Sequence, residues 1–203
     1  TPKTSSAASD VYKRQTDLPF TRMLSGPMDY TPGVFQLNNF RYDSPETKNI
    51  DKGAIVPSTI GKELALYVVY YSPMQMAADL PKHYSKHMDA FQFIKNVPVD
   101  WSERKILNSE FREYVSMART DKSSENWYVG GITNENERDL KIDFSFLESG
   151  KEYSMKMYLD TQNTHWKENP MEYQITEREV SSNDNIDIYL APGGGFAIEI
   201  IAK

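Results

Sequence analysis

The chain has 203 residues, 39% hydrophobic and 26% charged, with a net charge of -6 and no cysteine. That balance suits a globular protein, lacks the basic excess of a general nucleic-acid binder, and excludes disulfides, thiolate chemistry and cysteine-ligated zinc. No apolar run reaches membrane-spanning length, since "LALYVVYY" ends after eight residues at Ser72-Pro73.

Residues 1–15, "TPKTSSAASDVYKRQ", show no hydrophobic period and no apolar core of a signal peptide. Their last part reads as the translation of a sequencing-library transposon end. They are therefore expected to be an assembly artefact, with native sequence from Thr16. From Leu18 to Leu24 a short apolar run bounded by breakers predicts a buried strand. Residues 25–57 are rich in Pro, Gly, Asn and Asp and predict a long loop, a kind of segment that usually carries function. Ser58 or Thr59 can cap a following helix, and Glu63 suits its positive end. "IGKELALYVVYYSPMQMAADL" is apolar nearly all round, which predicts a helix buried on several sides and kinked or restarted at Ser72-Pro73. A second helix is expected from His83 to Asn96, with Met88, Phe91 and Phe93 or Ile94 toward the core.

The pattern changes near Asn96 to Asp100. Beyond it eight short runs of β-branched and aromatic residues alternate with turn signals: "KILNSEF", "EYVSMART", "NWYVGGITN", "DLKIDFSF", "YSMKMYLD", "YQITEREV", "NIDIYLA" and "GFAIEIIAK". In "DLKIDFSF", Leu140, Ile142, Phe144 and Phe146 share one face. Such spacing predicts an antiparallel sandwich or barrel. Strand, loop and helix before the boundary with all-β sequence after it make the chain α+β.

Between the breakers Gly26-Pro27 and Pro32-Gly33 lie Asp29 and Tyr30, with Arg22 just upstream. At the end of a strand that leads into a helix, these residues suit substrate contact. An Arg–Asp pair stapling the loop explains them equally well. His83 and His87 have helical spacing, but "HYSKH" lacks the glutamate of a zinc-protease motif, so two exposed surface histidines are expected. "PGGGF" at 192–196 precedes a strand, which makes it a tight turn and not a phosphate cradle. Trp101, Trp127 and Trp166 suit packing better than sugar stacking, with Trp166 the most exposed. Glu110 and Glu113 read as surface charges.

"PFTRMLSGPMDYTPG", "ELALYVVYYSPMQMAADLP" and "FIKNVPVDW" closely resemble glycoside hydrolase family 97, and "NWYVGGITNENERDL" and "IYLAPGGGFAIEI" continue the likeness to Lys203. The resemblance implies α-glucosidase or α-galactosidase relatives built from an N-terminal β-sandwich, a (β/α)8 barrel and a C-terminal all-β domain of oligomerisation type. It implies that residues 16–96 finish the barrel, with Leu18 to Leu24 as its last strand, and that 97–203 form the C-terminal domain. It further implies carboxylate catalysis, calcium in the parent enzyme, an oligosaccharide or glycoside substrate, and a periplasmic or extracellular location. Partners would be the missing barrel and N-terminal domain and a homo-oligomer contact, with no nucleic acid or membrane. The catalytic carboxylates are expected upstream of Thr16, so no catalytic and no metal residue is assigned and the chain alone should be inert. Arg22, Asp29 and Tyr30 then become wall or supporting residues of the sugar pocket. The alternative is a stand-alone carbohydrate-binding or dimerisation module centred on 97–203.

Overall fold

The computed structural model of the chain describes residues 14–38 and 56–203. Most of the artefact expected at 1–15, and the loop between 38 and 56, lie outside the described residues. Eight strands form where the eight runs predicted them: β1 Trp101–Glu110, β2 Tyr114–Asp121, β3 Trp127–Thr133, β4 Arg138–Asp143, β5 Tyr153–Leu159, β6 Gln174–Val180, β7 Asn185–Leu190 and β8 Gly195–Ala202, with β1 starting four residues before its run and β4 stopping three residues short of the end of its run. All pairings are antiparallel. Six strands make one sheet in the order β1-β2-β3-β8-β5-β6, and β4 with β7 makes a second.

Side-chain alternation sorts the two faces of the large sheet. Val129, Met155, Met157, Ile198 and Ile200 point toward β4–β7, where Leu140, Ile142, Phe144 and Leu190 complete a dry core. Val115, Met117, Tyr128, Ile132, Tyr158 and Ala197 point the other way, into a core shared with the helices. With both faces covered, β3 is buried at every position, although its sequence is not a continuous apolar run.

The covering element is α1, Ile60–Val69, capped by Thr59, whose hydroxyl accepts from the Lys62 N–H at 3.1 Å. All ten of its residues are buried, as its sequence predicts. Its close approach depends on Gly130, where a Cβ would lie 2.7 Å from the Ala65 carbonyl oxygen and 2.9 Å from Val68 Cβ. At the other end of α1, Arg119 donates from Nε to the Val68 carbonyl at 2.6 Å. This bond satisfies one of the carbonyls that a helix end leaves open.

Four helical-region expectations are corrected. The predicted strand Leu18–Leu24 is a pair of 3-10 turns, Leu18–Phe20 and Arg22–Ser25. Pro19 fits the first turn of a helix, and among the described residues no strand partner lies alongside. The helix predicted over "IGKELALYVVYYSPMQMAADL", with a kink or restart at Ser72-Pro73, ends at Val69, because Tyr70 turns extended (φ -98°, ψ 108°) before Pro73 is reached. The helix expected over His83–Asn96 is broken into α2 Pro81–Tyr84 and α3 Met88–Asn96. On α3, Phe93 and Ala90 are buried, whereas Met88 faces solvent.

Candidate functional site

Two extended stretches flank α1. Residues 27–37 and 70–79 run in the same direction, tied by Met28 N–H to the Tyr71 carbonyl at 3.1 Å and Ala78 N–H to the Pro32 carbonyl at 3.1 Å. α1 lies between them in sequence, and neither stretch is itself a regular strand. Four residues separate the two bonds on the first stretch and seven on the second, so 72–77 bows outward.

A groove of about 270 Å³ opens there, lined by Asp29, Tyr30, Thr31, Met74 and Met76. The structure thus brings Asp29 and Tyr30 into one surface and adds two methionines that the sequence placed in a helix. Arg22 is not among the lining residues. Its guanidinium donates to the Pro27 carbonyl at 3.1 Å and the Gly26 carbonyl at 3.5 Å, so the Arg–Asp staple is not formed. Asp29 is exposed. Tyr30 is half-buried and packs edge-on against Tyr70, ring centroids 4.7 Å apart. Burial, reinforced by the Glu63 carboxylate, pushes its hydroxyl up to about 12, so Tyr30 stays neutral at ordinary pH.

The walls hang on α1. Tyr67 donates its hydroxyl to the Pro32 and Met76 carbonyls, each at 3.1 Å, spanning both stretches. Glu63 accepts from the Gly33 and Val34 N–H groups at 2.9 and 3.1 Å. Gln75 donates to the Tyr67 carbonyl at 2.9 Å, and Ser72 to the Met74 carbonyl at 2.6 Å. The bow at 72–77 is therefore pinned from three sides.

Behind α1 lies a buried polar cluster that the sequence analysis did not single out. Asp160, at the end of β5, accepts from Gly195 N–H at 2.8 Å and Ala191 N–H at 3.1 Å, closing the glycine turn before β8. Lys62 donates to the Thr133 carbonyl at 3.1 Å. Burial pushes the Asp160 carboxyl up to about 7 against the lowering pull of Thr59, the two N–H groups and Lys62. Burial also brings Lys62 down to about 8.

Because Asp160 binds its proton more tightly when folded than when unfolded, stability should fall as pH rises from about 4 to about 7. The slope from one such group reaches about 1.4 kcal/mol per pH unit. Urea unfolding of the wild type and Asp160→Asn across this window isolates the term. The variant should lose the downward slope, and equal slopes would discard it.

Other candidates settle into structure. "PGGGF" is a turn, with Gly193 at φ 67°. His83 bonds Asp79 through Nδ1, and His87 Nδ1 lies 3.2 Å from the Tyr173 hydroxyl. The expectation of two exposed histidines fails because each ring is half-buried against a partner. Glu113 is likewise no idle surface charge, since it pairs with Arg138 at 2.9 Å. Trp127 is buried, while Trp101 and Trp166 are half-buried, Trp166 stacking on His165. Among the described residues no three histidine or carboxylate side chains gather as a metal-ligand cluster. Asp29 is also the one described carboxylate lining the groove. Glycoside hydrolysis by acid and base or nucleophile needs two.

The glycosyl-hydrolase 97 C-terminal, oligomerisation family matches residues 100–201. The chain belongs to glycoside hydrolase family 97. A retaining alpha-galactosidase of Bacteroides thetaiotaomicron is 34% identical to it over 206 residues, covering 98% of this chain and 28% of that protein. A probable retaining alpha-galactosidase of Streptomyces bingchenggensis is 33% identical over 116 residues, covering 57% of this chain and 16% of the relative. A solved family 97 enzyme from Pseudoalteromonas sp. strain K8, in complex with acarbose, superposes with a TM-score of 0.86 at 39% identity. That match covers 95% of this chain and 29% of the other. This family 97 chain thus spans less than a third of the length of these relatives.

Proposed function

We propose that this chain is the C-terminal part of a bacterial glycosidase that cleaves α-galactosidic or α-glucosidic bonds, and that it does not catalyse hydrolysis alone. One observation carries the reading: two extended stretches running the same way on either side of α1 bear a groove with one described carboxylate, in a chain that spans 28% of its alpha-galactosidase relative. In this reading residues 16–96 are the end of a (β/α)8 barrel and 97–203 are the oligomerisation-type domain. The barrel assignment is supported by the parallel run of 27–37 and 70–79 across α1. Two such segments cannot close a barrel, so further strands must come from the rest of the protein.

Arg22, Asp29 and Tyr30 take roles fitted to their positions. Asp29, exposed in the groove, accepts from a sugar hydroxyl. Tyr30, neutral and edge-on to Tyr70, supplies an apolar side to the same wall. Arg22 holds the turn at Gly26-Pro27 that delivers them. The C-terminal domain supplies a contact between copies of the enzyme, and the parent works outside the cytoplasm.

The test is recovery of the gene upstream of the Thr16 codon, then assay of the long protein and this chain on aryl α-galactosides and α-glucosides. Turnover above about 1 s⁻¹ by the long form, with none by this chain, is the expected result. A long form that hydrolyses neither substrate would sink the reading. Preference between the two glycosides identifies the sugar.

A further inference from the structure

A second cavity, of about 460 Å³, lies where the 3-10 turns and the end of α1 meet β1 and β2. Its volume falls within the range of roughly 300–1,000 Å³ typical of small-ligand sites. Phe20, Met23 and Leu24 wall it on one side, and Ile106, Val115 and Met117 on the other. Two arginines, Arg104 and Arg119, line the same apolar space, and none of its lining residues is acidic.

Arg119 is only 6% exposed, and arginine is almost never that buried without a partner. Its Nε donates to the Val68 carbonyl, and its guanidinium lies over the Tyr71 ring, 5.6 Å from the centroid. These two contacts fix the plane of the fork. Among the described residues neither of its terminal nitrogens has an acceptor, and no carboxylate pairs with Arg119 or Arg104. The neighbouring charge has the same sign instead: burial, and then Arg104, bring the Arg119 guanidinium down to about 10. A buried charge is stabilised by an opposite charge that also takes up its free N–H groups. A planar fork fits a carboxylate, which accepts two N–H groups at once. The apolar walls call for an apolar body behind that head, which an inorganic anion lacks.

We infer that this cavity is a receptor for a carboxylate carried on an apolar body, with Arg119 taking the carboxylate through its terminal nitrogens and the exposed Arg104 adding charge beside it. Two sources share this chemistry, a free small molecule and an acidic side chain from the rest of the protein. The inference goes beyond the glycosidase reading and does not depend on catalysis.

The experiment titrates benzoate and its neutral isostere benzamide into this chain by calorimetry. Benzoate should bind about tenfold more tightly, since only it accepts a charge-assisted pair of hydrogen bonds. Arg104→Met, at an exposed position, should cut that preference about threefold and leave the unfolding curve unchanged. Arg119→Met should abolish the preference. Equal affinity of the wild type for the two probes would overturn the inference.

A crystal structure of the long protein grown with benzoate separates the sources, and it serves equally if this chain does not hold its fold alone. A carboxylate oxygen within about 3.2 Å of an Arg119 terminal nitrogen is the expected result. If it belongs to benzoate, the natural ligand is a free carboxylate. If it belongs to a side chain, the rest of the protein fills the receptor. Apolar side chains or water alone against that nitrogen would overturn the inference. Turnover is read separately, so a long protein inert on glycosides defeats the glycosidase reading and leaves this one standing.

Discussion

Replacing Asp160 by alanine should lower the stability of this chain by about 4 kcal/mol, the cost of leaving two buried N–H groups without an acceptor. Two buried N–H groups, of Ala191 and Gly195, lose their acceptor. Each such orphan costs roughly 1–3 kcal/mol. Lys62, buried within the same cluster, loses a carboxylate that favours its charged form. For a chain of this size the melting temperature should drop by about 10 °C. Asp160→Asn keeps an acceptor oxygen and should lose markedly less. A melting temperature within about 2 °C of wild type for the alanine variant would show that the turn at Pro192–Gly195 does not need the carboxylate.

The second large effect concerns the seat of α1 on the sheet. Alanine at Gly130 would bring a methyl within 2.7 Å of a helix carbonyl and 2.9 Å of Val68 Cβ. Neither neighbour is the free end of a flexible side chain, so the helix itself must shift. Overpacking of this kind costs about 3 kcal/mol. Gly150 gives the contrast. Its added methyl meets open space, and only the positive φ of 83° resists it. Gly150→Ala should cost about 1–2 kcal/mol. Chemical denaturation of both variants reads the difference. Equal losses would show that the approach of α1 to β3 is loose.

The strands were legible because alternation is a local signal. "DLKIDFSF" alone predicts that Leu140, Ile142, Phe144 and Phe146 share one face; the first three are buried, and Phe146, past the end of β4, is half-buried against the same core. Sheet order was not legible. β8 lies between β3 and β5 through pairings across dozens of residues, and no short-range pattern encodes such partners.

The helical region shows the complementary failure. An apolar run such as "LPFTRML" has no period to distinguish a strand from tight turns. "YYSPMQMAA" read as the continuation of a helix because its neighbour was helical, whereas Tyr70 leaves the helix to pair beside residues 27–32. That misreading hid Met74 and Met76. Asp29 and Tyr30 were visible because breakers framed them. The Lys62–Asp160 cluster had one overlooked cue, a lysine inside a helix that is otherwise apolar nearly all round. Lysine is almost never fully buried without a partner, so its position called for an acid that only the fold could name.

The ties from α1 to both stretches make the groove a dependent structure. Tyr67 and Glu63 fix its walls to the helix, and the helix rests on β3 and β8 with no side chain at Gly130 to act as a cushion. Movement is then shared and not local. Any tilt of the sheet is then carried through α1 to both walls, and whatever clamps the outer face of the β-domain also sets how stiffly those walls are held.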